Sequence, residues 1–150
     1  NLDDQSSWRK ALPLWINGPN LSQSTLSSEA TNALPERTIS YTLVLRNVTL
    51  SPAKEITTVV YLPDSLHLLS DTLRTSGGEA LLTGQDVLWR GELAGGESVT
   101  TTVVLTQSVL SEAWLPAGAI IEDGLTDPII LHDLRFSPPA QKFLPIIATP

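Results

Sequence analysis

Apolar and polar residues alternate with a period of two along most of the chain between residues 37 and 107. The clearest case is the stretch 38–46, in which every odd-numbered residue up to 45 is apolar. Successive side chains of a β-strand point to opposite faces of a sheet, so this period indicates strands with one buried face. Turns that contain Gly or Pro separate the alternating stretches about every 8–12 residues. The pattern therefore predicts a protein built from short, half-buried strands.

The same reasoning assigns strands to other parts of the chain, namely 56–62, 67–69, 81–82, 87–93, 99–105, 119–121 and 129–131. Short strands at this spacing are typical of two sheets packed face to face. We therefore predict an all-β fold, an immunoglobulin-like β-sandwich with extended N- and C-terminal segments. Gly91 is expected to interrupt the packing of its strand. The expected core residues are Tyr41, Leu43, Leu45, Val87, Trp89, Val103 and Leu105.

The flanking regions predict three divisions of the chain. Residues 1–33 are expected to be an N-terminal extension that holds a candidate donor strand. Within and just beyond it, residues 17–35 are rich in Ser, Thr and Asn with two prolines, which favours a linker or long loop. Residues 34–136 are expected to form the sandwich, and residues 137–150 a Pro-rich C-terminal tail.

Composition excludes several classes of partner and site. The net charge is −7 with only 9 Lys and Arg, so the chain lacks the basic surface that nucleic acid requires, and no nucleic-acid partner is expected. Cysteine is absent, which removes disulfides, thiolate metal sites and Cys nucleophiles. No apolar run approaches the ~20 residues of a membrane-spanning helix, so no transmembrane segment is expected. No cofactor is expected either.

The two histidines, His67 and His132, are the first candidates for catalysis. His132 precedes Asp133, and an Asp can orient a histidine base beside a serine nucleophile. No Gly-x-Ser-x-Gly elbow accompanies them. We therefore expect ordinary strand or surface histidines and a chain that is not an enzyme.

Two further groups of residues leave alternatives open. Carboxylates in a loop can bind Ca²⁺, but the spacing here matches no Ca²⁺ loop, so a solvated loop is favoured for Glu122, Asp123, Asp127 and Asp133. Tryptophans can stack on sugar rings, but core packing is favoured over carbohydrate binding for Trp15, Trp89 and Trp114. Two stretches also match the N-glycosylation sequon, Asn20-Leu21-Ser22 and Asn47-Val48-Thr49.

Both terminal segments contain Leu-Pro followed by bulky apolar residues. An extended segment of this kind can add a strand to the open edge of a sandwich, either within its own subunit or on a neighbour. The 19 residues of 17–35 could span roughly 60 Å when extended, which is long enough for exchange. Exchange that does not close into a ring would build a head-to-tail homopolymer. The candidate assembly residues are Leu12, Leu14, Trp15, Ile16, Phe143, Leu144, Ile146 and Ile147.

The order of residues in 34–107 resembles the repeat domain of bacterial and archaeal surface proteins known as domain of unknown function eleven. The residues that carry the resemblance are Tyr41, Asn47, Ala53, Leu62-Pro63, Trp89 and the turn Leu93-Ala94-Gly95-Gly96-Glu97. Thr49 stands where that family usually has Gly, and Val60 where it often has Asp. The resemblance implies an immunoglobulin-like fold, export from the cell and a role at the surface or in a stalk, and it implies no catalytic residue.

These observations favour a non-enzymatic extracellular structural protein at the cell surface. In this hypothesis the chain is the subunit of a filament, sheath or stalk and associates with itself through terminal strand exchange. The alternative is an adhesive or carbohydrate-binding β-sandwich module of a larger secreted surface protein, with surface glycans as partners.

Overall fold

The computed structural model describes residues 18–32, 36–108 and 113–137, which form two antiparallel β-sheets packed as a sandwich. Sheet A has the strand order β1-β2-β7-β4, and sheet B has the order β5-β6-β3-β8-β9. The predicted all-β, immunoglobulin-like class is thereby confirmed. No helix of a length and apolarity suited to crossing a membrane occurs within these described ranges. The strands are β1 (Thr25–Asn32), β2 (Glu36–Arg46), β3 (Ala53–Tyr61), β4 (His67–Thr75), β5 (Glu79–Thr83), β6 (Asp86–Leu93), β7 (Ser98–Ser108), β8 (Ala113–Glu122) and β9 (Ile129–Ser137).

The core lies between the sheets and follows the period-two pattern of the sequence. In β3, Ile56, Thr58 and Val60 are buried between the sheets, whereas Val59 and Tyr61 lie on the opposite face. Sheet A contributes the odd-numbered apolar residues of β2 and β7 in the same way. The buried residues include Tyr41, Leu43, Leu45, Val87, Trp89, Val103 and Leu105.

Trp89 is fully buried beside two glycines that make room for its ring. A Cβ atom on Gly91 would lie 2.8 Å from Trp89 Cη2, and one on Gly78 would lie 2.4 Å from Trp89 Cζ2. The indole Nε1 donates a hydrogen bond to the carbonyl oxygen of Gly77 at 2.9 Å. The expectation that Gly91 interrupts packing is therefore wrong, because the absence of a side chain at that position is what allows Trp89 to pack.

The predicted linker over 17–35 is wrong for Thr25–Asn32, which form β1, and the sandwich accordingly begins before residue 34. All eight residues of β1 pair with β2. The inward positions of β1 are Leu26, Ser28 and Ala30. Because Ser28 is polar and Ala30 is small, the alternation of apolar and polar residues is weak in this strand. Pairing with a long neighbouring strand stabilises β1, and a weak local preference is overridden by tertiary context.

Several strands are longer than the sequence pattern predicts, above all β4, β8 and β9. β4 continues to Thr75, β8 begins at Ala113 and β9 ends at Ser137. The candidate assembly residues lie outside the described residues. They are Leu12, Leu14, Trp15, Ile16, Phe143, Leu144, Ile146 and Ile147.

Gly78→Ala is expected to destabilise the protein by roughly 3 kcal/mol or more, because its Cβ would overlap the Trp89 ring in addition to the cost of a left-handed backbone with φ of 69°. Gly84→Ala is the matched control. Its φ is 65° and no atom lies within 4 Å of the added Cβ, so only the backbone cost of about 1–2 kcal/mol is expected. Urea denaturation of both variants measures the difference, and equal losses would contradict this account of Trp89 packing.

Candidate functional site

The outer face of sheet B carries a row of apolar side chains that crosses all five strands. Each member is paired in register with the next, from β5 at one edge to β9 at the other. None of these side chains faces the core, because each occupies the outward position of its strand. The row consists of Leu81, Leu88, Val59, Ile120 and Ile130.

Beyond this row Gly118 and His132 interrupt the apolar surface, which resumes farther along β8 and β9. Trp114 is 64% exposed and Leu134 63%, which are high values for such large side chains. Trp114 and Phe136 pack against each other with ring centroids 4.9 Å apart and planes tilted by 50°. We call this surface the outer apolar face. It comprises Val59, Tyr61, Leu81, Leu88, Trp114, Pro116, Ile120, Ile130, Leu134 and Phe136.

The outer face of sheet A provides an internal comparison, because it is an ordinary solvated surface. Ser27, Thr42 and Thr102 form one outward row across β1, β2 and β7, and the adjacent rows mix polar residues with the half-buried Val44 and Val104. Antiparallel sheets commonly expose one polar face to water. Contiguous apolar patches on a protein surface mark interaction sites. Sheet B therefore presents a candidate interaction surface that sheet A does not.

A polar row borders the outer apolar face at one end. Glu79, Arg90, Thr57 and Glu122 are paired in register across β5, β6, β3 and β8. An apolar patch with a polar rim has the composition expected of a surface that contacts another molecule. The rim also limits how far an apolar partner can extend in that direction.

The C-terminal half of β9 has an inverted pattern, with Asp133 and Arg135 on its inward side and Leu134 and Phe136 on its outward side, whereas the first half places apolar residues against the core. Asp133 and Arg135 point towards the neighbouring sheet, where β1 forms the edge. Ser28 Oγ donates a hydrogen bond of 2.6 Å to Asp133 Oδ2. Arg135 Nε donates to Ser28 Oγ at 2.9 Å, and Arg135 Nη2 donates to the Ser28 carbonyl oxygen at 2.6 Å. We call this group the β1–β9 seam.

The β1–β9 seam fixes which side of β9 meets solvent. A shift of one residue in the register of a strand exchanges its two faces completely. Such a shift would place Leu134 inward, but it would also remove Asp133 and Arg135 from their partner on Ser28. Inward-pointing charges on edge strands also discourage pairing with other chains. The seam therefore keeps Leu134 and Phe136 on the outward side of β9.

Tyr41 lies beside the seam in the core. Its hydroxyl is buried and has no hydrogen-bond partner among the described residues. Burial, with a smaller contribution from the charge of Asp133, raises the pKa of Tyr41 to about 12, against the opposing effect of Arg135. The phenol is therefore neutral across the physiological range, and it contributes volume to the core.

The histidines suggested by the sequence do not form a catalytic arrangement. His132 is exposed on the outward side of β9, whereas Asp133 lies on the inward side, because neighbouring residues of a strand point in opposite directions. His67 is exposed at the start of β4. Asp133 instead accepts a hydrogen bond from Ser28.

The acidic residues likewise do not converge. Among the described residues there is no group of three or more side chains arranged to bind a metal ion. Asp123 organises its own loop, because its carboxylate accepts hydrogen bonds from the backbone N–H groups of Leu125 and Thr126 at 2.9 and 2.8 Å. Burial raises the pKa of Asp123, but these hydrogen bonds more than offset that effect and leave the pKa below its ordinary value.

The two sequons differ in accessibility. Asn47 is fully buried, and its Nδ2 donates a 2.7 Å hydrogen bond to the carbonyl oxygen of Ser51. Its Oδ1 accepts a hydrogen bond from the hydroxyl of Thr49, the residue that stands where the family usually has Gly. Asn20 is exposed. Asn47 is therefore a structural residue, and attachment of a glycan there is incompatible with the folded chain.

No family model and no curated protein sequence matches the chain. The resemblance to the repeat domain of unknown function eleven is therefore not confirmed by a family model, whereas the immunoglobulin-like fold that it implied is confirmed.

Similar solved structures exist at low sequence identity. The structure of BslA, described as a bacterial hydrophobin, superposes with a TM-score of 0.53 at 14% identity, over 79% of this chain and 95% of that one. The collagen-binding subdomain of the Enterococcus faecalis surface protein ACE gives 0.51 at 9% identity, over 75% and 94%. The collagen-binding domain of a Staphylococcus aureus adhesin gives 0.51 at 7% identity, over 73% and 95%. At these identities the likeness establishes a shared fold.

The outer apolar face was missed by reasoning from the sequence, which favoured packing for Trp114. A signal was nevertheless present in residues 113–121, which are nearly all apolar without alternation. A strand that is apolar on both sides is typical of a sheet covered on both faces. Here β8 is covered only on its inner side by the described residues, so Trp114 is exposed.

Ser28→Ala is expected to destabilise the protein by about 1–3 kcal/mol, because Asp133 and Arg135 each lose a hydrogen-bond partner on the Ser28 hydroxyl. Ser27→Ala on the exposed side of the same strand is the control, with an expected effect within about 0.5 kcal/mol. Chemical denaturation measures both. Equal effects would show that the seam does not hold the two edges together.

Tyr41→Phe is expected to leave stability near neutral pH unchanged or raised by up to about 1 kcal/mol, since a buried hydroxyl without a partner is removed. The pH dependence has a definite sign. The folded-state pKa of about 12 exceeds the ordinary value of 10.0. The contribution of the neutral Tyr41 phenol to wild-type stability is therefore fully present below pH 10 and is lost as the pH rises towards 12. Denaturation across this window should show a smaller loss for Tyr41→Phe than for the wild type. Parallel profiles would contradict the raised pKa.

Proposed function

We propose that the chain is a non-enzymatic module of the microbial cell exterior that acts by association, as a structural subunit of a surface filament, sheath or stalk. The outer apolar face is its association surface. The observation that carries the proposal is the exposure of large apolar side chains on a sheet whose register is fixed by the β1–β9 seam.

The size of the outer apolar face suits association. Five strands spaced by about 4.8 Å give a width of about 24 Å, and the six-residue interval from Ile130 to Phe136 gives a length of about 20 Å. The row across five strands and the strip along β8 and β9 together form an L-shaped area of roughly 300 Å², a patch size that often marks an interaction site. Full burial of each large apolar side chain contributes about 1.5–3 kcal/mol. Several such residues together can offset the entropic cost of association.

The sheet edges are less suited to association than the face. Among the described residues the edge strands are β1, β4, β5 and β9. β1 is largely polar, β5 has five residues, and the pairing of β4 shifts register between Leu69 and Arg74. β9 carries two inward charges. Short, polar or irregular edges are the features by which proteins discourage strand addition. We therefore favour contact through the face over terminal strand exchange.

An extracellular role is supported by the kind of proteins that share the fold. The similar structures include a bacterial hydrophobin and two collagen-binding domains of surface adhesins. A rigid sandwich that acts through a contact surface is compatible with such settings. The absence of cysteine and the net charge of −7 are compatible with a soluble, disulfide-free module.

The test is the solution mass of the full chain over a range of protein concentrations, measured by sedimentation velocity with negative-stain microscopy of the largest species. Wild-type mass should rise with concentration, and a face variant, Ile130→Thr/Leu134→Thr, should remain monomeric. The matched control, Val44→Thr/Val104→Thr, alters the outer face of sheet A and should associate like the wild type. A wild-type chain that stays monomeric throughout, or a face variant that associates equally well, would overturn the proposal.

Carbohydrate adhesion is a second candidate, favoured by one observation. Trp114 is exposed and lies against Phe136, which provides an aromatic surface of the kind that stacks on a sugar ring. A glycan array probed with the full chain and with Trp114→Ala tests it. Binding that disappears in the variant would favour adhesion, and absence of binding in the wild type would remove this alternative.

A further inference from the structure

The outer apolar face requires an occupant that is apolar, narrow and extended. Its most exposed part follows β8 and β9, where Trp114, Ile130, Leu134 and Phe136 are each at least 39% exposed and His132 is the one polar side chain among them. This strip is about 20 Å long. An extended segment of five residues is about 17 Å long and would cover most of it.

We propose that the occupant is the C-terminal segment Phe143-Leu144-Pro145-Ile146-Ile147 of a second copy of this chain, docked by its side chains onto the outer apolar face. The inference deepens the proposed function and rests on it, because it names the partner of the same surface. The segment has four apolar side chains and a proline, and residues 143–150 contain no charged residue. Its composition therefore matches the strip that it covers.

Pro145 favours docking on a face over addition to a sheet edge. Proline has no backbone N–H, so a central proline removes one hydrogen bond from a strand ladder. Contact between side chains across a sheet face does not need that hydrogen bond. The same residue thus disfavours strand exchange and leaves face docking unaffected.

Pro138 and Pro139 favour a neighbouring copy over the same copy. They directly follow β9, which ends at Ser137 opposite Ala113. A residue that precedes proline is restricted to extended backbone, which disfavours an immediate reversal of the chain after β9. Only residues 140–142 would remain to reverse its direction onto its own face. Phe143 can instead reach about 20 Å from Ser137, far enough to meet an adjacent subunit.

The charge of the donor segment is compatible with docking on an acidic chain. Residues 138–150 contain Lys142 and no acidic residue, whereas the whole chain carries a net charge of −7. The donor segment and the acceptor face are different surfaces of one chain. Their contact is therefore heterologous, and repetition without ring closure produces an open head-to-tail series.

The experiment combines two defective variants of the full chain. The face variant Ile130→Thr/Leu134→Thr lacks a functional acceptor, and the donor variant Phe143→Ser/Ile146→Ser lacks a functional segment. Sedimentation velocity of each variant alone should give monomer, while the wild type should form species larger than dimers. An equimolar mixture of the two variants should form a one-to-one heterodimer and nothing larger, because one good donor segment and one good acceptor face remain. Matching denaturation midpoints for the variants and the wild type establish that both are folded.

The alternatives give different results. In one alternative the donor variant associates like the wild type, the face variant stays monomeric, and the mixture forms no heterodimer of the two variants. That result would overturn the inference in favour of contact between two faces, and the proposed function would survive. Monomer in every sample, the wild type included, would overturn both. In a third alternative the wild type is monomeric and the donor variant binds more of an apolar dye than the wild type does. The segment would then cover the face of its own copy, and docking between copies would be overturned.

Discussion

Asp133 and Arg135 occupy the inward side of β9, where an edge strand of a sandwich would ordinarily present apolar residues. They are stable there because Ser28 on the facing edge strand β1 supplies both a hydroxyl and a carbonyl oxygen as partners. Charged groups left without hydrogen bonds in a partly buried setting would be costly. This one contact joins the two sheets along an open side and sets the register of β9. The outward position of Leu134 and Phe136 depends on that register.

The opposite side of the sandwich is joined in a different way. Trp89 packs across to the segment between β4 and β5, where its indole N–H reaches the carbonyl oxygen of Gly77. Two glycines, Gly78 and Gly91, leave the space that the ring fills. The two sheets are thus joined on one side by the Trp89 ring and on the other by the hydrogen bonds of the β1–β9 seam. The polar contact on inward β9 leaves Leu134 and Phe136 on the outward side, where they belong to the outer apolar face.

The sequence predicted the parts of the fold in which one face of a strand is apolar and the other polar. β2, β3 and β7 have this alternation and were predicted close to their observed bounds. β1 was missed because its inward residues are small or polar, so it depends on pairing with β2. The candidate interaction face was missed because β8 is apolar on both sides, and period alone cannot distinguish a covered outer side from an exposed one. Trp114 was for that reason expected to pack.

The sequence by itself determined the all-β class, the period-two core and the lack of cysteine chemistry, since these follow from local alternation and composition. Only the tertiary structure decided which residues meet solvent. The inverted pattern of β9 becomes meaningful once Ser28, more than one hundred residues away in the chain, is placed opposite Asp133 and Arg135. Such a long-range pairing depends on the relative position of two sheet edges, and no local period encodes it. The outer apolar face is consequently a property of the folded chain, even though each of its side chains can be read from the sequence.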